Sequence, residues 1–392
     1  MTVTGIERVE AALNLECADR VPVDIRAITH AQALTGIPLG RLMRDFKLSD
    51  AAFEKSLEIY GDYDIYPNGI TIIVEYVRNV TPFVAKIPGR DGWPEDKEAQ
   101  VLDVELLTEN DYDAILERGF LRHYFSILSR SREVSNTIPR PALGMFARLP
   151  QGVFMALTKK IAGRNYRALR PYFEKWTRQG KWIYAGAMPI PPFETYMLLR
   201  SVAKGMVDLY ERPEKVKAAT RILMKECAEL YLANVKASGA RTVMLGGAHA
   251  SNTYISPKMY EEFDLPCTRE LVETFADAGI ITVLHFDANW TKNLPLLRAF
   301  PAKKCILHLD GFSDVFKAKE ILGDRLCIMG DVHPTLLVKG SKDEVADYCR
   351  RLIKIVGKGG GFILSPGCEC PMNAKPENVK VMVEIAHQEG RY

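Results

Sequence analysis

The sequence predicts an α/β protein: a single (β/α)8 TIM barrel over residues 1–392, with N-terminal helices and an insertion at approximately 86–180 over the barrel mouth. Three observations carry that expectation. Short, β-branched, nearly continuous apolar runs alternate with amphipathic helical stretches through the C-terminal half, and strands buried on both faces between helices are parallel βαβ units. Across the whole chain there are about eight such runs. No glycine-rich phosphate loop follows any of them, which favours an eightfold barrel over a doubly wound sheet.

In chain order, VPVDIR (21–26), DIYPNGITIIVEYV (64–77) and WIYAGAMPI (182–190) are the first strand candidates, and a long helical stretch over 193–238 follows them. RTVMLGG (241–247), ITVLHFD (281–287), KCILHLD (304–310), RLCIMGD (325–331) and GFILSP (361–366) complete the set. Helical patterns occupy 256–279, 291–300, 312–323, 342–359 and 375–390. Pro257 and Pro376 stand in first turns, while Gly279 and Gly323 follow helix ends, where each residue type is preferred. The GKGGGF run (357–362) precedes a strand, so it is a turn and not a phosphate loop. The 86–180 region opens with the polar stretch PGRDGWPEDKEAQVLD and is helical but poor in strand signal over 147–180.

Composition sets the class. With 52 basic against 49 acidic side chains and a net charge of +3, nothing electrostatic calls for nucleic acid or a lipid surface as partner. No run of about 18 apolar residues is present to span a membrane. The opening MTVTGIERVEAALNLECADR has neither the basic nor the apolar region of a secretion signal. Eight cysteines in 392 residues are not a disulfide framework; Cys227, Cys267, Cys305, Cys327 and Cys349 sit in apolar patterns as small core residues. A reduced, cytoplasmic protein is expected.

Catalytic groups of a parallel barrel lie at the C-terminal ends of its strands. That rule selects His249, the pair His285 and Asp287, His308 and Asp310, Asp331 and His333, and the Ser365-Pro366-Gly367-Cys368-Glu369-Cys370 turn. Four of the seven histidines fall in this set, although one histidine at a strand end is more often a hydrogen-bonded structural residue than a ligand. Strand alternation puts His285 and Asp287 on one side. With Cys368 they make a nitrogen, oxygen and sulfur set suited to Zn²⁺, three protein ligands with a position left open; a purely structural role is the alternative. Cys370 is either a fourth ligand or a thiol turned away. The AMPIPPFETYMLL tract (187–199), with Met188 and Phe193, either walls a pocket for a flat substrate or packs on the core. Tyr66, followed by Pro67 and Asn68, carries the same two alternatives. Arg26 either binds an anionic substrate group or forms a salt bridge inside the barrel, and Asp331 is a further substrate-binding candidate.

Taken together, ADRVPV (18–23), LLTENDYDAIL (106–116), YISPKMYEEFDLP (254–266), HFD (285–287), GDVHPTLLVKGSKDEV (330–345) and GFILSPGCECPMNAKPENVKVMVE (361–384) resemble the uroporphyrinogen decarboxylase superfamily. The chain looks most like its branch of zinc- and cobalamin-dependent methyltransferases. The decarboxylase itself carries an R-Q-A-G-R-like segment after the first strand for the carboxylates of its tetrapyrrole; Ile25-Arg26-Ala27-Ile28-Thr29-His30 keeps one arginine. The zinc methyltransferases carry H-x-C and a later cysteine in an S-P-G-C turn. His285 and Cys368 match the first and last positions, and Asp287 replaces the middle cysteine. A carboxylate in place of a second thiolate leaves a more electrophilic metal, suited to polarising an ether oxygen or amine.

The resemblance therefore implies the substrate-side methyltransferase of an O-demethylase system. It would cleave a small methylated compound, such as an aromatic methyl ether, with Zn²⁺ as Lewis acid, and pass the methyl group to cobalamin supplied by a separate corrinoid-binding protein. His249, His333 or Glu369 would orient or protonate the substrate. The chain lacks an Asp-x-His-x-x-Gly cobalamin segment: Asp331-Val332-His333 is followed by Pro334-Thr335-Leu336. Methyl transfer from a corrinoid to a thiol or to tetrahydrofolate, and decarboxylation of a smaller acid, are the competing functions. A homodimer is the oligomer allowed for.

Overall fold

The structure, a computed structural model, describes residues 3–67, 84–90, 92–128, 130 and 149–392. It is an α/β fold with parallel sheets. In chain order the strands are β1 (Ile65–Tyr66), β2 (Val84–Lys86), β3 (Gln100–Leu102), β4 (Trp182–Ile183), β5 (Thr242–Gly247), β6 (Ile281–Phe286), β7 (Cys305–Leu309), β8 (Cys327–Val332) and β9 (Phe362–Pro366). Strands β5 to β9 form a parallel sheet in sequence order, and β1 pairs in parallel with β4. Backbone hydrogen bonds link these units. Asp24 N–H donates to Leu364 O, Asp64 N–H to Val23 O, Gly186 N–H to Thr242 O and Met244 N–H to Ala187 O. The polar stretch near residue 90 lies between β2 and β3, which pair antiparallel.

Alternation along the strands sorts side chains onto two faces. Val243, Leu245, Leu284, Phe286, Leu307, Leu309, Ile328 and Leu364 join the larger core beneath the surrounding helices. Met244, Ile281, Val283, Ile306, Cys327, Met329 and Ile363 join a second cluster on the opposite face, closed at the strands' N-terminal end by Val9, Ala12 and Leu13. Helix Gly5–Leu13 supplies that plug; Thr4 and Glu7 form a capping box at its start, satisfying two free backbone donors. Towards the strands' C-terminal ends the same face turns polar, with Asp24, Arg26, Tyr184, His285 and His308 all buried. The floor is oily and the upper part is not.

Five expectations change; the strand expected over 21–26 is reduced to an isolated parallel bridge, Val23 with Leu364, and the one over 182–190 to β4 and an Ala187–Val243 bridge. The helical stretch 193–238 is three helices, Pro192–Arg200, Val202–Glu211 and Pro213–Ser238. Ser201, at φ 69°, interrupts the first junction, and Pro213, which has no N–H to donate, opens the third helix. The 291–300 pattern keeps only a 3₁₀ turn, Leu296–Ala299. The strand expected over 64–77 is β1 at Ile65–Tyr66, and the rest of that range from Asn68 lies outside the described residues. Within 147–180, helix Gln151–Arg178 packs along Pro213–Ser238. GKGGGF is indeed a turn before β9: Gly360 has φ +86°, and a Cβ there would meet the Glu16 carbonyl at 2.5 Å, so only glycine fits.

The N-terminal segment is locked by one carboxylate. Asp64, 1% exposed as a side chain, accepts from Arg8 Nη1 at 3.0 Å, Arg20 Nη1 at 2.7 Å and the Val23 N–H at 2.8 Å. Nearby, Val21 N–H donates to Gly390 O and Arg20 pairs with Arg391, so the segment after the first helix meets residues 390 and 391 there. Removing the carboxylate strands the buried Arg20 guanidinium, whereas Arg8 keeps its ion pair with Asp19. Asp64→Ala is expected to lose about 3–5 kcal/mol, read as a lower midpoint in urea unfolding of the full chain.

Candidate functional site

Parallel pairing in register brings strand ends level. His285 of β6 stands opposite His308 of β7, and the turn after β9 carries Cys368 to the same place. His285 Nε2 lies 3.4 Å from Cys368 Sγ and 3.4 Å from Asp287 Oδ1, and the three donor atoms fall within 4.8 Å of one another. His285 is buried, Cys368 is half-buried and the Asp287 carboxylate is 42% exposed. A buried face and an open face therefore meet at the cluster.

Burial, with the Arg26 charge, holds His285 well below the usual histidine range, so its imidazole is neutral. Burial raises the Asp287 carboxyl to about 6, with Arg26 opposing, and pushes the Cys368 thiol up to about 12, with Asp287 adding to the shift. A cation bound here would displace the thiol proton. The donor set fits such an ion. Ligands at about 2.0–2.3 Å in tetrahedral array stand roughly 3.4–3.6 Å apart, and the two distances from His285 Nε2 match.

Beneath the cluster lies a polar layer. Arg26 Nη1 approaches His308 Nδ1 at 3.1 Å, Tyr184 Oη the same nitrogen at 3.0 Å, and His285 Nδ1 also at 3.1 Å. His308 Nε2 donates to Pro366 O at 2.9 Å. Arg26 is 2% exposed and stacks its guanidinium 4.1 Å from the Tyr184 ring centroid. Among the described residues it has no carboxylate within ion-pair distance, so the salt bridge considered for it inside the barrel is absent. The Arg26 N–H donates to Asp24 Oδ1; the other Asp24 oxygen and Arg26 Nε are buried without partners among the described residues. Burial raises the Asp24 carboxyl to about 6 despite the neighbouring Arg26.

The remaining candidates are placed as follows. His249 Nδ1 pairs with Glu194 Oε1 at 2.8 Å, and Glu194 Oε2 accepts the Ala248 and His249 N–H groups. His333 Nδ1 accepts from the Thr335 N–H at the start of helix Pro334–Lys339, and its ring meets exposed Phe312 edge-on. Glu369 is half-buried, its carboxyl raised by burial with Arg26 opposing. Asp331 Oδ1 accepts from Tyr348 Oη at 2.8 Å, and burial raises its carboxyl to about 7. Tyr66 packs among Phe53, Phe173 and Trp176, and Phe193, fully buried, packs on Tyr196. Met188 is half-buried against the core. Cys370 is fully buried beside Pro371 O.

Tyr184, Glu194 and Asp24 were not singled out from sequence. The period-two spacing of Asp24 with Arg26, and of Tyr184 with Trp182, was the available signal for two of them. Nothing local marks Glu194, which meets His249 across 55 positions.

Residues 191–389, about half of the chain, match the family model described as uroporphyrinogen decarboxylase (URO-D). The chain belongs to the uroporphyrinogen decarboxylase family. All three clustered donors and His308 lie inside the matched segment of this family member. A uroporphyrinogen decarboxylase from Pseudoalteromonas atlantica is 25% identical over 206 residues, 50% of this chain and 55% of the relative. The methylcobamide:CoM methyltransferase MtbA from Methanosarcina acetivorans is 27% identical over 168 residues, 42% of this chain and 48% of the relative. The chain thus spans about half the length of the curated relatives it matches. A solved methyltransferase from Methanosarcina mazei shares the fold, with a TM-score of 0.67 over 99% of each chain at 18% identity.

Burial opposes the charge on the half-buried His249 imidazole, but the Glu194 carboxylate outweighs it and raises the pKa above its ordinary value. The pair's stabilisation is therefore complete below about pH 6.5, the unfolded value, and fades as pH rises through the folded midpoint. Glu194→Gln is expected to move the His249 titration to lower pH, measured by NMR of the labelled histidines.

Proposed function

We propose that this family member is a zinc-dependent methyltransferase that cleaves a small methylated compound, an aromatic methyl ether, and delivers the methyl group to the cobalt of a separate corrinoid protein. The observation that carries this reading is the convergence of His285, Asp287 and Cys368 at ligand spacing, with Asp287 open to solvent. A relative named as a methylcobamide methyltransferase supports it. We infer with it that residues 1–392 form one (β/α)8 barrel, the eight linked segments being its strands and residues 86–180 lying over its mouth. This reading puts the protein in the cytoplasm, where its free thiols stay reduced. Among the described residues no helix is long and apolar enough to cross a membrane.

Zn²⁺ held by His285, Asp287 and Cys368 would supply Lewis-acid polarisation of the ether oxygen. The chain's own groups do the rest. Arg26 provides a fixed positive charge beneath the cluster, placed to favour negative charge as the carbon–oxygen bond breaks with its electron pair on oxygen. His249, held protonated to higher pH by Glu194, is the proton donor among the three candidates; His333 already spends Nδ1 on the Thr335 N–H. Half-buried Glu369 orients the substrate, and Met188 walls the site. Phe193 and Tyr66 act from the core, as support and not as contact surface.

Two other functions remain defined by test. Methylation of a thiol is favoured by the name of the relative MtbA and opposed by the carboxylate at Asp287. Decarboxylation is favoured by the other relatives' names and opposed by the single arginine of the first strand end. The purified chain is expected to carry one equivalent of zinc, with Cys368→Ala losing it. A screen of methoxylated aromatics with a reduced corrinoid carrier should give methyl transfer that exhaustive chelation abolishes. Unchanged zinc in Cys368→Ala, or an activity that survives chelation, would overturn the reading.

A further inference from the structure

The hydrogen bonds beneath the cluster determine the state of His285. Pro366 O can only accept, so His308 Nε2 carries its proton. Arg26 Nη1 can only donate, so His308 Nδ1, 3.1 Å away, presents a lone pair. His285 Nδ1 faces that same lone pair at 3.1 Å. Two lone pairs at this distance would repel. His285 Nδ1 therefore carries the proton, and Nε2 is left bare towards Cys368 and Asp287. Tyr184 Oη, 3.0 Å from His308 Nδ1, belongs to the same layer, with a hydroxyl free to rotate.

We propose that His308, held by Arg26 and the Pro366 carbonyl, is a positioning residue that locks His285 as the Nδ1–H tautomer with its Nε2 lone pair aimed into the donor cluster. The inference builds on the reading of His285 as a metal ligand, although the tautomer itself is fixed by protein groups alone. Nothing in the two β-strands individually demands it. The pairing of His285 with His308 in the β6–β7 register and the arrival of Arg26 from the segment that bridges to β9 at Val23 create it together. An imidazole free to flip would offer either nitrogen; this one is committed before any ligand arrives. Outer groups that orient a ligating histidine in this way typically contribute 10–100-fold in metal affinity.

The test uses the full chain with ¹⁵N-labelled histidine, in which long-range ¹H–¹⁵N correlations distinguish the two tautomers. Metal-free wild type is expected to show His285 as the Nδ1–H form, assigned by the signal lost in His285→Gln. His308→Phe should release this preference and weaken Zn²⁺ binding about 10–100-fold, whereas His308→Asn, which retains an acceptor, should recover most of it. An Nε2–H or averaged His285 in the wild type would overturn the proposal, whatever the variants do. A fixed Nδ1–H tautomer in a wild type that binds no zinc would sustain the proposal while removing the metal reading above, so the two fail separately.

Discussion

Everything in the site depends on one geometric constraint, the in-register parallel pairing of neighbouring strands. A slip of one residue would turn each side chain to the other face. His285 and His308 would then enter the oily core under the helices, and Leu284 and Leu307 would replace them. Register is protected by the apolar residues two and four positions earlier, Val283, Ile281 and Ile306, which are buried on the opposite face. The same alternation that builds the floor therefore delivers the chemistry above it.

The electrostatics follow from that layering. A guanidinium buried with no carboxylate beside it among the described residues is costly unless other groups share its charge. Here the Tyr184 ring and the His308 lone pair do so. Burial keeps both histidines uncharged, helped by the guanidinium's field, which also opposes the burial-driven rise of Asp287 and Glu369. The site thus combines neutral nitrogen donors and an Asp287 carboxyl raised to about 6 with a protonated thiol. Such a set is poised to exchange a proton for a cation.

Much of this was legible in the sequence, for identifiable reasons. The strands β5 to β9 announce themselves because both faces are buried, leaving unbroken β-branched runs. His285, Asp287 and Cys368 could be grouped because strand ends share one rim in a parallel fold and because His285 and the S-P-G-C turn match the first and last positions of a known pattern, with Asp287 in place of its middle cysteine. What escaped was set by distance in the chain. Glu194 and Tyr184 acquire meaning only through His249 and His308, which lie 55 and 124 positions away. The 193–238 stretch looked continuous because helical periodicity survives a single interrupted turn, and Ser201 gives no warning of its positive φ.

The meeting of residues 20 and 21 with residues 390 and 391 has a practical corollary. That junction sits where the strands begin, whereas the donor cluster sits where they finish. A tether attached to the half-exposed Tyr392 would hold the molecule by its base, on the side away from the donor cluster. Immobilised in that orientation, the protein would keep its donor cluster turned away from the support.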